Sequence, residues 1–287
     1  LSKLKGMIEM LIDFHTHMFP EAIAKRALGG IIERTKEIYD IDQDTSFDGT
    51  LAGLRASMDV TGVGLSVVLP IATKPGQHVT INRYAEEARG DGVVSFASVH
   101  PYDEAPDEIL KDIARRGFIG IKLHPDYQNV FADDPRFISV VKKAQELGLY
   151  VVIHSGEDLG MRPPFHCTAA QLKTLVSHTD ETLLIAAHMG GFNIWDDILN
   201  GFTGTRMYFD TAVVSRYIDR ETYRRIIDRH GADKILFGSD APWEDPRDTY
   251  AFLTDAGLSS EEIELIKHKN AEKILGDAVD RYKRAET

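Results

Sequence analysis

Eight short apolar runs, each followed by a helix-type pattern, constrain the fold of this chain more than any other feature. The runs are rich in Val, Ile and Leu, as expected of strands that are buried on both faces. They span Leu11–His17, Leu65–Ile71, Val93–His100, Phe118–Leu123, Leu149–Ile153, Thr182–Ala187, Met207–Phe209 and Lys234–Gly238. Eight alternating strand–helix units predict an α/β fold, the closed (β/α)₈ TIM barrel. An open doubly wound sheet is the competitor, but it usually carries a glycine-rich turn after its first strand, which this chain lacks.

Length, net charge and cysteine content limit the number of domains, the kinds of partner and the location of the protein. The 287 residues suit one domain, predicted over residues 7–287, with residues 1–6 as a tag remnant or a flexible start. A net charge of −12 argues against nucleic acid and anionic membranes as partners. No apolar run reaches the length of a membrane span. The one cysteine excludes an intrachain disulfide and fits a cytoplasmic location.

Histidine and acidic residues follow several of the predicted strands. His15 and His17 end the first strand, and strand alternation places both on one side, a good half-site for zinc or a similar ion. Later strand ends carry His100, Lys122, His124, His154, His188, Asp210 and Asp240. Barrel enzymes collect their chemistry at these ends. For His100 and His124, each before a proline, turn capping is at least as good an interpretation as metal ligation, and Asp210 could simply accept bonds from loop backbone.

The strings around these residues carry a family resemblance. They read Asp-Phe-His-Thr-His, Ile-Lys-Leu-His-Pro, Val-Ile-His-Ser-Gly, Ala-His-Met-Gly-Gly and Phe-Gly-Ser-Asp-Ala-Pro-Trp, in that order. From Ile12 to about Ile274 the chain resembles the amidohydrolase superfamily, and in particular the metal-dependent hydrolases related to aminocarboxymuconate-semialdehyde decarboxylase. The ordered set is specific, although no single string is.

The resemblance implies a metal centre. By that likeness His15, His17, His154 and Asp240 bind a divalent ion, and His188 either binds a second ion or acts on the substrate. Zinc is the expected metal, with manganese, iron or nickel as alternatives, and one ion is favoured over two. Three imidazoles and a carboxylate leave room for a water whose pKa the cation lowers toward about 7. Asp240 is then the expected proton acceptor, and His188 the group that polarises a carbonyl.

Lys122 has two interpretations. In two-metal relatives a lysine at this position is carboxylated and bridges the ions, whereas an unmodified Lys122 would hold a substrate carboxylate or serve as a structural ammonium. His124, Arg162 and Trp243 are the other predicted substrate contacts, because an arginine can bind a carboxylate through two hydrogen bonds. The Tyr39–Asp48 segment is expected to cap the pocket, unless a neighbouring subunit of a homo-oligomer does so.

The leading functional hypothesis is a metal-dependent hydrolase of a small carbonyl compound, an amide, a lactone or a carboxylic acid. Non-oxidative decarboxylation of an unsaturated or aromatic acid at the same metal site is the alternative. A related barrel nuclease is disfavoured by the acidic charge and by Lys122, where a glutamate would be expected. A barrel that binds a ligand without catalysis is the hypothesis from another class, and metal analysis distinguishes it.

Overall fold

A computed structural model describes residues 10–284, and within them eight strands run parallel to their neighbours. The strands are β1 (Leu11–Thr16), β2 (Val63–Val68), β3 (Val93–Ser95), β4 (Gly120–Leu123), β5 (Tyr150–Ile153), β6 (Leu184–Ala186), β7 (Tyr208–Asp210) and β8 (Ile235–Leu236). Regular pairing joins β1 to β3 and, separately, β4 to β8. The predicted segment 1–6, and both ends of the predicted domain, fall outside the described residues.

Backbone hydrogen bonds close these two groups of strands into a barrel. Between β3 and β4, the Ala97 N–H donates to Gly120 O at 3.0 Å, and the Lys122 N–H donates to Ala97 O at 2.8 Å. Between β8 and β1, the Phe14 N–H donates to Phe237 O at 2.8 Å. The chain has the TIM-barrel fold that the eight alternating runs predict.

Helices follow the strands and cover the barrel. They are α1 (Glu21–Tyr39), α2 (Leu51–Thr61), α3 (His78–Glu87), α4 (Pro106–Arg115), α5 (Pro125–Gln128), α6 (Pro135–Glu146), α7 (Ala169–Val176), α8 (Trp195–Gly201), α9 (Arg220–His230), α10 (Pro246–Thr254), α11 (Ser260–Glu264), α12 (Asn270–Leu275) and α13 (Ala278–Tyr282). Local signals explain their ends. Thr50 caps α2 by accepting from the Gly53 N–H, and Gly62 ends it with a φ of 78°. None of the helices between residues 10 and 284 is both long and apolar enough to cross a membrane.

Two apolar clusters form the core. The larger lies between strands and helices, and the smaller contains Phe14, Phe96 and Leu236 of the barrel. The smaller cluster continues into Ile274 and Val279, beside the C-terminal helices. Because the Tyr282 carbonyl accepts from the Gly92 N–H just before β3, these helices cover the N-terminal ends of the strands. The opposite end of the barrel is left for the site.

The predicted boundaries need correction in four places. Pairing in β3 stops at Ser95 rather than His100, and β8 spans only Ile235–Leu236, because the chain leaves the ladder early and enters the loops of the rim. A π-helical turn at Leu265–Lys269 joins α11 to α12, and β2 spans Val63–Val68 rather than Leu65–Ile71. The predicted cap is wrong in position: of the Tyr39–Asp48 segment only Gln43 lines the cavity, whereas several residues of α1 do.

Candidate metal centre

One cavity of about 850 Å³ lies at the C-terminal end of the barrel and collects most of the predicted site residues. It is lined by His15, His17, Lys122, His124, His154, His188, Asp240 and Trp243, among others. Arg162 is the exception. Its guanidinium is 61% exposed and pairs with the Glu37 carboxylate at 3.1 Å, so it lies outside the cavity. His100, whose Nε2 donates to the Gln128 carbonyl at 3.0 Å, is also outside and braces a loop.

Three electron-pair donors meet at the floor of the cavity. Asp240 Oδ1 lies 3.0 Å from His17 Nε2 and 3.3 Å from His15 Nε2. The Nδ1 atom of His17 is 2.8 Å from the Leu69 carbonyl, which can only accept, so the proton of this ring sits on Nδ1. Likewise the Nδ1 of His15 is 2.8 Å from the Asp210 carboxylate. Both Nε2 atoms therefore present lone pairs to a carboxylate oxygen.

Such a cluster is repulsive unless a cation lies within it. Asp240 Oδ1 is buried and has no hydrogen-bond partner among the described residues. Burial lowers the pKa of His15 well below its usual value, which keeps this ring neutral. Burial alone would raise the pKa of Asp240, but attraction to the neighbouring histidines in their protonated form outweighs it, so the pKa is lowered and positive charge beside this carboxylate is favoured. Two neutral imidazoles and a carboxylate are the ligand types that zinc and related ions prefer, so these residues fit a divalent metal.

Asp210 supports this cluster from behind. Its Oδ2 accepts from His15, and its Oδ1 accepts from the backbone N–H groups of His188 at 2.8 Å and Ala212 at 3.1 Å. One fully buried carboxylate thus orients an imidazole of β1 and anchors the residue that follows β6. The sequence suggested that Asp210 could simply accept hydrogen bonds from loop backbone. The structure has these bonds and, in addition, the hydrogen bond from His15.

The His188 ring lies between His15 and His154, with ring centroids 5.4 Å and 4.7 Å away, whereas His154 groups with His124 and Asp158 rather than with His15, His17 and Asp240. His188 Nδ1 donates to the Ala212 carbonyl at 2.9 Å, and His154 Nε2 lies 3.1 Å from the Glu157 carbonyl. A neutral imidazole carries one N–H proton, so two neutral rings have two protons, and both are donated to these carbonyls. The remaining contact, His188 Nε2 to His154 Nδ1 at 2.9 Å, then lacks a proton. Either a third proton or a metal ion between the two nitrogens would make this contact attractive.

The backbone is strained where it presents these groups. His188 and Asp240 both lie in the left-handed region, with φ of 62° and 66°. Residues other than glycine reach it at a cost of about 1–3 kcal/mol, and such strain clusters at functional sites. The Asp240 N–H donates to the His15 carbonyl at 2.8 Å, which holds the acidic residue against the histidine strand.

Lys122 lies beside the cluster and is fully buried. Its Nζ atom is 3.3 Å from His15 Nε2. Burial lowers the pKa of this ammonium to about 8, against the opposing attraction of Asp210 and Asp240. The side chain therefore exchanges its proton close to neutral pH, which is compatible with both of its predicted forms.

A second His/Asp cluster sits higher on the cavity wall and includes a residue that the sequence interpretation missed. Asp158 Oδ2 is 3.3 Å from His124 Nε2 and 3.8 Å from His154 Nε2. Proximity alone would suit a cation. However, His124 Nδ1 accepts from the Tyr127 N–H at 3.3 Å, so its proton is on Nε2 and faces the carboxylate. The His124 proton therefore lies on the side that faces Asp158, and a cation there would have to displace it. In the sequence only His124, at the end of a strand, pointed to this cluster, because Asp158 lies in a loop.

Aromatic and apolar side chains make up the rest of the wall. The His124 ring stacks between Tyr127 and His154, with centroids 4.0 Å apart on both sides. Apolar residues of α1 and of the 159–161 loop face the same space, and Arg34 of α1 joins them. The sequence predicted neither α1 nor Arg34 as part of the site.

A family model described as "Amidohydrolase" matches residues 12–276. No curated protein sequence matches the chain.

Solved structures with the same fold are distant in sequence. An uncharacterized TIM-barrel protein from Bordetella bronchiseptica superposes with a TM-score of 0.74 at 15% identity, over 94% of this chain and 99% of the other. A protein assigned as a 2-pyrone-4,6-dicarboxylic acid hydrolase from Pseudomonas putida gives 0.65 at 15%, over 94% and 98%. A dihydroxybenzoic acid decarboxylase from a Polaromonas species, with manganese and 2-nitroresorcinol bound, gives 0.66 at 17%, over 94% and 98%. At these identities the likeness establishes the fold.

Proposed function

The chain belongs to the amidohydrolase family, and we propose that it is a metal-dependent hydrolase acting on a small carbonyl substrate, an amide, a lactone or a carboxylic acid derivative. One observation carries this proposal: the buried Asp240 carboxylate oxygen faces two imidazole lone pairs with no hydrogen-bond partner among the described residues. The arrangement is costly in a protein that binds nothing there. The hypothesis of a non-catalytic barrel gives no reason for it.

A divalent cation is the cofactor implied by the family and by this donor set. We propose that His15, His17, His154 and Asp240 hold one ion, most simply zinc, with manganese, iron or nickel as alternatives. When bound, such an ion lowers the pKa of a coordinated water toward about 7 and polarises a carbonyl. Whether His188 and a carboxylated Lys122 hold a second ion is left to metal analysis, and one ion is the simpler proposal.

Asp240 and His188 carry the proton chemistry in this proposal. Asp240 accepts the proton of the attacking water at a carboxylate oxygen and returns it to the leaving group. His188 Nδ1 is committed to the Ala212 carbonyl. To stabilise a developing oxyanion, His188 must carry a second proton, on Nε2. The electrophilic role of His188 therefore requires its imidazolium form.

Substrate contacts are assigned to the groups above the centre. Lys122, unmodified, donates to a substrate oxygen next to the cation site. His124 presents the edge of a ring whose two faces are covered by Tyr127 and His154, and Trp243 closes part of the wall. Arg162, which lies outside the cavity, is not retained as a substrate contact. A cytoplasmic location and a homo-oligomeric state stay predictions.

Non-oxidative decarboxylation is the second candidate. The Polaromonas decarboxylase shares this fold with manganese bound, and mostly apolar walls suit an aromatic acid. In that reaction His188 or Asp240 would deliver a proton to carbon rather than to a leaving heteroatom. The cation site is the same, so the two reactions differ in substrate and in the fate of the carboxyl carbon.

An isotope experiment separates the candidates. Zinc-loaded or manganese-loaded protein is incubated in H₂¹⁸O with a panel of aryl esters, lactones, anilides and dihydroxybenzoates. Hydrolysis places ¹⁸O in the product acid, whereas decarboxylation releases CO₂ and places solvent deuterium on the ring when D₂O is used. The Asp240→Asn variant should lose whichever activity is found. Turnover that survives complete metal removal would refute the proposal.

A further inference from the structure

The helix α1 brings an apolar stripe and one cation to the cavity. Ile23, Ala27 and Ile31 line the cavity at four-residue spacing, and Arg34 follows three residues later on the same face. Ile23 is 37% exposed, although it is a large apolar residue. An apolar stripe that faces a cavity rather than the core is expected where an apolar ligand completes its burial.

Arg34 is set apart by its lack of an acidic partner. Among the described residues that line the cavity, Arg34 and Lys122 are the only lysine or arginine side chains. Lys122 lies at the floor beside His15, whereas the guanidinium of Arg34 lies 5.8 Å from the centroid of the Tyr127 ring. No carboxylate between residues 10 and 284 forms an ion pair with Arg34. By contrast, Arg162 is paired with Glu37.

A row of stacked rings connects the two ends of the cavity. Tyr127 stacks on His124, and His124 stacks on His154 of the cation site. Arg34 stands beyond Tyr127, at the end of this row remote from the metal centre. A ligand lying along the row would place one end at the cation site and its other end at the guanidinium.

Acidic residues nearby do not cancel this charge. Asp158 accepts from the Gly160 N–H at 2.7 Å and lies 3.3 Å from His124 Nε2, and Asp126 Oδ1 accepts from His166 at 2.8 Å. Each carboxylate thus has at least one donor of its own, and neither forms an ion pair with Arg34, whose contact among residues 10–284 is with the ring face of Tyr127. An arginine with free donors at the rim of an apolar cavity matches a planar anion such as a carboxylate.

We propose that Arg34 binds a carboxylate at the end of the substrate remote from the cation site. The substrate class is then an acid with an apolar body, whose reacting carbonyl and carboxylate lie at opposite ends. This inference rests on the proposed function for the position of the reacting end. Arg34 thus takes the role of binding the substrate carboxylate that the sequence predicted for Arg162.

Pairs of hydroxamates test the proposal without knowledge of the natural substrate. A hydroxamate chelates the metal, so its chain projects into the cavity. The monohydroxamates of adipic, suberic and sebacic acid are compared with alkyl hydroxamates of equal chain length that end in methyl. Dissociation constants are measured by calorimetry on zinc-loaded wild type, Arg34→Gln and the control Arg162→Gln, which changes a neighbouring arginine outside the cavity.

At the best-matched chain length the wild type should bind the carboxylate-ended probe roughly three- to tenfold more tightly, the range expected for a partly exposed charge-assisted pair. Arg34→Gln should abolish this preference and leave the methyl-ended affinity unchanged, and Arg162→Gln should change neither. Equal affinities at every length, or a preference that survives in Arg34→Gln, would overturn the role of Arg34 and leave the metal centre standing. Failure of every hydroxamate to bind would overturn both proposals.

Discussion

The replacement Asp210→Asn tests how the metal centre is oriented. Asp210 does not face the cation. It accepts the Nδ1 proton of His15 at 2.8 Å with one oxygen and two backbone N–H groups with the other. The substitution conserves shape and removes one acceptor. Its effect depends on which way the new amide turns.

The backbone bonds decide that orientation. If the amide oxygen keeps the N–H groups of His188 and Ala212, the NH₂ group faces His15 Nδ1. That nitrogen must then become an acceptor, and the proton of His15 moves to Nε2, where the metal should bind. The opposite orientation would set an NH₂ group against two buried N–H donors, which costs more than it saves. Asp210→Asn therefore withdraws one ligand by changing its tautomer.

The size of the effect follows from the bond that is lost. A hydrogen bond to a charged group contributes about 1.5–3 kcal/mol, and loss of such a supporting group typically weakens metal binding about 10- to 100-fold. The Asp210 carboxylate and its His15 partner are at most 1% exposed, so solvent screening reduces this little. We expect zinc affinity to fall by about 10- to 100-fold.

The assay is a competition titration of metal-free protein against a zinc-binding dye. Asp103→Asn is the matched control, since this carboxylate also lies beside a histidine nitrogen, His78 Nδ1 at 3.2 Å, but outside the cavity. The control should bind zinc as the wild type does. A wild type that binds one zinc ion, together with an Asp210→Asn variant within twofold of its affinity, would refute the tautomer argument.

Three further predictions address chemistry, pH and packing. Asp240→Asn should abolish turnover and leave the far-ultraviolet circular dichroism unchanged, and residual wild-type activity would contradict the proton-transfer role. Burial lowers the pKa of His230 to about 4. Since the unfolded chain takes up this proton near pH 6.5, the free energy of unfolding should fall by at most about 3 kcal/mol as the pH drops from 6.5 to 4. Urea titrations should show a shallower pH dependence for His230→Gln, and an unchanged slope would argue against this residue. Gly238→Ala would place a Cβ 2.8 Å from the Cβ of His15. It should cost about 1–3 kcal/mol of stability and weaken zinc binding. Gly201→Ala, which meets no described atom within 4 Å, should leave zinc binding unchanged.

Local patterns in the sequence were sufficient to predict the barrel and most of the residues at the C-terminal ends of its strands. Strand-length apolar runs predict strands because burial on both faces demands them, and a strand's last residue then falls at the rim whatever the loops do. For this reason His15, His17, His154, His188 and Asp240 could be assembled before any coordinates. All five line one cavity, and their joint action around a cation stays a prediction.

Side chains on loops and covering helices could not be placed in the same way. Arg162 and Arg34 look equivalent in sequence and both are exposed, yet packing of α1 places Arg34 at the edge of the cavity, whereas Arg162 pairs with Glu37 outside it. Asp158 likewise gave no signal, because its role depends on a histidine 34 residues earlier. Which side chains contact a substrate therefore depends on packing between segments that are distant in the chain.

The sequence by itself determined the order of the strands and the identity of the donors at their ends, because both follow from short-range burial patterns. Only the tertiary structure decided which nitrogen of each histidine is free. His15 and His17 owe their exposed Nε2 lone pairs to acceptors 195 and 52 residues away, Asp210 and the Leu69 carbonyl. A tautomer is fixed by the partner of the other ring nitrogen, and that partner is known only once the barrel has closed.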